Sequence, residues 1–417
     1  MPPESLTCKE CKTTYPLDAS YVCEHCFGPL EVTYASRAGA DPEEYRRRIQ
    51  TGPHSIWRYR DFLPLEGAPK RGTLPAGWTP LLRADRLADR LGLREVWIKN
   101  DAANPTHSFK DRVASVALAR ARELGYEVFA CASTGNLANA VAAHASAAGL
   151  DSYVFIPADL EEQKILTTGV YDTTIVAIRG NYDDVNRVCT EVSGERRWAF
   201  ANINFRPYYA EGSKTLAYEI AEQLGWQVPD RLVGPIASGS LFTKIARGFE
   251  EWIELGLVEG PVPTMNGAQA EGCSPVATAF AAGHDICRPV KPDTIAKSLA
   301  IGNPADGPYA LELARRTGGA IDAVSDEEIV AGIRLLAETT GIFTETAGGV
   351  TTAVLAKLAE RGEIDPEERV VAVITGEGLK TLDVVRGSFE TVEIDASYDA
   401  FEARIESAAA APTPVAA

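Results

Sequence analysis

From residue 95 onward, short apolar runs alternate with stretches whose apolar positions recur at helical spacing. The runs predict strands over 96–99, 128–132, 152–156, 174–178, 198–202, 231–235, 264–269 and 370–374. Between and after them the spacing predicts helices over 111–124, 137–148, 160–168, 183–193, 212–224, 243–255, 326–339 and 351–360. Ser325 and Glu328 form a capping box ahead of the helix over 326–339. Alternation of this kind implies parallel strands joined by crossover helices. The expected class is α/β, with two three-layer parallel-sheet domains and a cleft between them.

The N-terminal third reads differently. Cys8-x-x-Cys11 and Cys23-x-x-Cys26 lie within a stretch that suits a small hairpin, with eleven residues between the pairs. Each pair can present two thiolates to one ion, so the four predict a zinc-ribbon-like segment over 1–35. Four protein ligands leave no open coordination position, which makes such a zinc structural; a ribbon that keeps its thiols without metal is the alternative. His25, between two of the cysteines, is expected to be solvated. Residues 36–80 are rich in Pro, Gly and charge and predict a linker or arm with one helix over 42–50. A short helix over 82–91 follows. The domain expectation is then 81–100 with 220–395 as a large domain, 101–219 as a small one and 396–417 as a tail, disordered from 407 onward.

Composition narrows the partners. A formal charge of −17 over 417 residues argues against broad binding to nucleic acid or anionic membrane. No apolar run is long enough to span a bilayer, and the start lacks a signal-peptide pattern, which predicts a cytoplasmic protein. Cys131, Cys189, Cys273 and Cys287 are scattered, as reduced thiols would be.

Three turns carry candidate chemistry. In Asn104-Pro105-Thr106-His107-Ser108-Phe109-Lys110-Asp111-Arg112, the Asn-Pro step breaks the preceding strand and a helix opens near Asp111. Lys110 thus stands at a helix start, where an amine can form an imine with a carbonyl compound. Ser133-Thr134-Gly135-Asn136 lies between a strand and a helix, a place for an anion on backbone amides. Gly234-Pro235-Ile236-Ala237-Ser238-Gly239-Ser240 does the same, with small residues that let amides close on a phosphate.

The Lys110 segment resembles the Asn-Pro-Thr-x-Ser-Phe-Lys-Asp-Arg motif of threonine synthases, which are fold-type II pyridoxal-phosphate (PLP) enzymes. The resemblance extends over roughly residues 55–385, with the Cys-rich segment found in some members. It implies that Lys110 carries PLP. It implies that Asn136 meets the cofactor's phenolic oxygen and that Ile236, Ala237, Ser238, Gly239 and Ser240 cup its phosphate. Thr375, in a Thr-Gly-x-Gly-Leu-Lys stretch, would face the pyridine nitrogen, and Glu345 would line the cleft. Ser133 and Thr134 would take the substrate carboxylate. The implied activity is conversion of O-phospho-L-homoserine and water to L-threonine and phosphate, usually by a homodimer. The chain departs from the family at His107, where Gly is usual, at Leu137, where Thr is usual, and at Tyr209, where Arg is usual. His107, Asn204 and Arg206 are the residues that could rebuild an anion site for a phosphorylated amino acid. Serine or threonine deamination, or β-replacement on phosphoserine, stays open beside that activity.

Overall fold

The computed structural model describes residues 2–36, 41–67, 69, 72–160, 162–180 and 182–410. In chain order its strands are β1 (Pro3–Cys8), β2 (Thr14–Tyr15), β3 (Leu30–Tyr34), β4 (Leu81–Arg83), β5 (Glu95–Asn100), β6 (Val128–Ala132) and β7 (Asp151–Pro157). There follow β8 (Thr174–Ile178), β9 (Ala199–Phe200), β10 (Arg231–Pro235), β11 (Thr264–Ala270), β12 (Ile321–Val324) and β13 (Arg369–Ile374).

They form three sheets. The N-terminal one is antiparallel, in the order β2-β1-β3. The largest runs β12-β11-β10-β13-β5-β4 and is parallel except at its β4 edge. The third, β8-β7-β6-β9, is parallel throughout. Helices cover the parallel sheets, so β13 reads Arg-Val-Val-Ala-Val-Ile and five of its six residues are buried, the pattern of a strand covered on both faces. This is the α/β architecture expected from the alternation of apolar runs and helices.

Several local expectations change. The helix read over 82–91 is β4 followed by a helix Asp85–Leu91. Leu81 and Leu82 pair antiparallel with Lys99 and Ile98, because Pro80 holds the chain extended as it reaches the sheet edge. The helix read over 212–224 is two helices, Arg206–Glu211 and Lys214–Gln223. They meet at Gly212, where a Cβ would lie 2.6 Å from the Arg112 carbonyl oxygen, so this junction packs backbone to backbone on the helix that follows Lys110. The helix Thr346–Glu360 starts a turn earlier than its apolar spacing suggested. Strand β12 and the helices Pro275–Ala281 and Gly307–Arg316 add to the expected elements.

The stretch read as a linker or arm packs against the core. Its helix Pro42–Gln50 buries Tyr45 and Ile49, and its 3-10 turn Ile56–Phe62 buries Tyr59 and Phe62. Tyr59 and Phe62 pack on Tyr218 and Trp252 in the main core, with ring centroids 5.3–6.0 Å apart. Pro and Gly content marked the turns, while these aromatic rings anchor them.

One compact unit runs to Thr381, and Leu382 onward is a second with a helix Tyr398–Ala410. The first unit therefore ends before the boundary expected at 395. Residues 407–410 close that last helix, and 411–417 lie outside the described residues. No helix among the described residues is long and apolar enough to cross a membrane.

Candidate functional site

Lys110 opens the helix Lys110–Glu123, and the turn before it is zipped onto the end of β13. The Phe109 amide donates to the Thr375 carbonyl at 2.9 Å, the Glu377 amide donates to the His107 carbonyl at 3.2 Å, and Ser108 bridges Gly376. His107 holds φ +61°, in the left-handed region. That explains why the resembling family favours Gly there; His pays a modest backbone cost for the same turn. The imidazole is exposed, and no hydrogen bond among the described residues uses it.

The helix start is held from beneath. Asp111 accepts from the Thr106 amide at 2.8 Å and the Thr106 hydroxyl at 2.9 Å, and it meets His144 Nε2 at 2.9 Å. Arg112 is fully buried, with Nε on Asp101 at 2.6 Å, Nη1 and Nη2 on Glu219 at 2.6 and 2.7 Å, and Nη2 on the Thr79 hydroxyl at 3.0 Å. Lys99 adds a second cation on Glu219 at 2.7 Å. Two cations face two carboxylates, so this buried cluster is neutral as a whole. Burial pushes the Glu219 carboxyl up, yet the Arg112 and Lys99 charges prevail and hold it down at about 2.

Contacts flank Lys110 on two sides. Its Nζ donates to the Tyr209 hydroxyl at 2.7 Å. Tyr209 lies on the helix Arg206–Glu211, whose first residue reaches the phosphate-type loop: Arg206 Nη2 meets Asp306 Oδ2 at 2.6 Å, and the Asp306 amide donates to the Ser238 carbonyl at 2.8 Å. On the other side, Asn136 donates to both oxygens of Glu345 at 3.1 and 3.0 Å and accepts from Lys380 Nζ at 2.8 Å. Lys380 also donates to the Thr106 carbonyl, 2.6 Å away in the lysine turn. Burial pushes the Glu345 carboxyl up, against the Asn136 hydrogen bond and the Lys380 and Lys110 charges. Burial likewise lowers Lys380, against Glu345, Asp111 and Glu377.

Both anion loops have the expected build. The segment Ile236 to Ser240 follows β10 and opens the helix Ser240–Glu254, with Gly239 at φ +95°. A Cβ there would sit 2.7 Å from the Asp306 carbonyl oxygen, so only Gly fits. The Ser133 to Asn136 turn follows β6 and opens the helix Asn136–Ala148; the Gly135 amide meets the Ser133 hydroxyl at 3.4 Å. Nothing lies within 4 Å of a Cβ built on Gly135, so the space beside that Cα is open. Leu137 is buried in the core under β6 and β7, which accounts for an apolar residue at that place.

The residues present fit PLP. A glycine cradle at a helix start suits a phosphate. Thr375 is 3% exposed, and no hydrogen bond among the described residues uses its hydroxyl, which leaves it for a ring nitrogen. Lys110 supplies the amine.

Two expectations about the anion site change. Asn204 does not point to a ligand: its Oδ1 accepts from the Phe200 amide at 2.8 Å and its Nδ2 donates to the Trp198 carbonyl at 2.9 Å. It clamps the turn after β9. Arg206 does reach the phosphate-type loop, but its charge is balanced by Asp306, so it brings donors rather than net positive charge. Sequence reasoning passed over Lys380, although it closes the quoted Thr-Gly-x-Gly-Leu-Lys stretch, and noted Tyr209 only as a mismatch.

In the N-terminal sheet the Sγ atoms of Cys8, Cys11, Cys23 and Cys26 all lie within 4.8 Å of one another. Cys8 and Cys26 are 3.4 Å apart and Cys11 and Cys23 are 3.5 Å apart. Four sulfurs about 2.3 Å from a tetrahedral zinc would be about 3.8 Å apart, so the set fits one ion. Cys131, Cys189, Cys273 and Cys287 are buried and free.

Comparison with known proteins agrees with this geometry. The family described as pyridoxal-phosphate dependent enzyme matches residues 72–376. A threonine synthase of Methanocaldococcus jannaschii is 39% identical over 394 residues, covering 93% of this chain and 96% of its own. One from Methanosarcina acetivorans is 38% identical over 96% of this chain and 98% of its own. Among solved structures, a tomato threonine deaminase superposes with a TM-score of 0.64 at 22% identity, over 86% of this chain and 97% of its own, a likeness of fold. This chain belongs to the pyridoxal-phosphate dependent enzymes and, within them, to the threonine synthases.

Proposed function

We propose that the protein converts O-phospho-L-homoserine and water to L-threonine and inorganic phosphate, with Lys110 as the residue that carries PLP. The observation behind this reading is the placement of Lys110: an amine at a helix start, locked to Thr375 by backbone bonds and linked through the helix Arg206–Glu211 to the loop around Gly239.

When bound, PLP supplies the electron sink that acidifies the substrate's Cα and Cβ hydrogens. The chain supplies position and proton traffic. Amides of Ile236 to Ser240 would hold the cofactor phosphate. The Thr375 hydroxyl would meet the ring nitrogen, and it brings no negative charge that would hold a proton there. Asn136, aimed by Glu345 and Lys380, would meet the phenolic oxygen. Ser133, Thr134 and the amides around Gly135 take the substrate carboxylate. Lys110 takes the Cα proton and then helps remove one from Cβ. Phosphate leaves from Cγ, where the remaining N–H groups of Arg206 offer donors to the departing anion; a proton then returns to Cγ to complete the methyl group, water adds its hydroxyl at Cβ while its proton goes with the phosphate, and Lys110 returns a proton to Cα. His107, at the rim, shapes the approach to the turn.

Borohydride reduction of the loaded enzyme followed by peptide mapping is expected to leave the cofactor on Lys110. Label on Lys380 or Lys214 would refute the assignment.

The four cysteines hold one structural zinc away from this chemistry. Metal analysis of purified protein is expected to find about one zinc per chain. Chelation should loosen the N-terminal sheet and leave the cofactor's absorption in place. Protein purified free of zinc would count against it.

A further inference from the structure

Tyr209 stands where the resembling family carries a cation, and its surroundings are built to hold it against Lys110. The helix that bears it is fixed at both ends. At one end Arg206 pairs with Asp306. At the other, Glu211 is buried and accepts from Lys244 at 2.8 Å and from the Tyr34 hydroxyl, and it pairs with Lys214 at 2.5 Å. Next to Tyr209, the Tyr208 hydroxyl donates to the Asp18 carbonyl at 3.0 Å. Gly212 then lets the backbone pack on Arg112, two residues beyond Lys110. The Tyr209 amide donates to the Phe205 carbonyl at 2.9 Å, and its ring packs on the core beneath β6 and β7. A rigid scaffold thus sets the 2.7 Å contact between Tyr209 Oη and Lys110 Nζ. Among the described residues no other hydrogen bond uses that amine.

We propose that Tyr209 is a catalytic partner of Lys110, its hydroxyl holding the lysine amine in place while the amine gains and loses a proton. A phenol suits this because it can both accept and donate. When Nζ takes a proton from substrate carbon, the C–H bond breaks, an N–H bond forms, and the electron pair remains on carbon in the sink that PLP supplies. The new ammonium donates to Oη. When the proton is given back, the neutral amine accepts from Oη–H. The other charged groups that face this amine are Glu345, from the start of the helix Thr346–Glu360, and beyond it Lys380. Neither is in hydrogen-bond contact with Nζ, so Tyr209 alone can follow the proton. This assignment rests on the reading that Lys110 is the working lysine, and it does not depend on which substrate is used.

The test compares the Tyr209→Phe variant with the parent as full-length, PLP-loaded enzymes. The variant is expected to keep the cofactor's absorption, to change KM by less than about threefold, and to lose about 10- to 100-fold in kcat, within the usual range for a proton-transfer group. Exchange of the Cα hydrogen of L-threonine with D2O should slow by the same factor, a readout that survives if phosphohomoserine is not the substrate. Tyr398→Phe, whose exposed hydroxyl meets Glu402, should leave kcat within about twofold. Unchanged exchange in Tyr209→Phe would overturn the proposal. So would a loss of kcat that follows loss of the absorption band. If exchange behaves as expected but no threonine forms from phosphohomoserine in the parent, the substrate reading fails and the Tyr209 assignment stands.

Discussion

Replacing Lys110 by Ala is expected to lower the kcat of threonine formation by at least about three orders of magnitude, since covalent attachment and proton transfer are lost together. The Lys110 amine can do both, by forming an imine and by taking a proton. Thr375, Asn136 and the loop around Gly239 can still hold PLP without a covalent bond, so the variant should bind the cofactor with a shifted spectrum. Lys110→Arg should fare no better, because a guanidinium neither forms the bond nor gives up its charge. Lys380→Ala gives the comparison. Its Nζ aims Asn136 and touches the lysine turn, so a loss of about 10-fold is expected from one charge-assisted hydrogen bond. Steady-state rates and cofactor spectra of the three variants check this. If Lys110→Ala keeps more than a tenth of the activity, another residue is the base.

The second large effect lies beneath the site. Glu219→Ala should destabilise the protein by about 3–5 kcal/mol, because it leaves Arg112 and Lys99 buried without their carboxylate. Against a typical total of about 5–15 kcal/mol, that is a large share. Glu191→Ala, which removes a fully solvated partner of Arg187, should shift stability by less than about 0.5 kcal/mol. The same group fixes a pH dependence. The Glu219 carboxyl stands at about 2 in the folded chain, below its ordinary 4.5. Its contribution is therefore complete above the ordinary range and is lost as pH falls from about 4.5 toward 2. Denaturant titrations at pH 7 and pH 3 should show the parent losing more stability on acidification than Glu219→Ala does. Equal losses would mean that the buried cluster is already discharged. Arg112 sits two residues from Lys110, so the variant should also show lower kcat before it unfolds.

Much of this was legible because it was local. The strand β13 and the turn after it read as a buried run ending in Thr375-Gly376, and the Lys110 turn announced itself through Asn-Pro and a helix start. Contacts distant in sequence were not legible. That Tyr209 would face Lys110, or that Arg206 would meet Asp306 beside Ser238, depends on how the helix Arg206–Glu211 docks, and no spacing encodes that. Asn204 misled for the same reason: its residue type suits a ligand, but its amide was spent on the turn after β9. The segment Pro42–Gln50 and Ile56–Phe62 misled through composition, since its Pro and Gly concealed four core aromatic and aliphatic anchors. Strand β4 was lost because three residues at a sheet edge carry no periodicity of their own.

The most direct test of the account follows phosphate release and amino-acid product together, with O-phospho-L-homoserine and O-phospho-L-serine offered separately to the PLP-loaded enzyme. One phosphate and one L-threonine per phosphohomoserine, with phosphoserine turned over far more slowly, is the predicted result. Phosphate accompanied by 2-oxobutyrate without threonine, or a preference for phosphoserine, would contradict it.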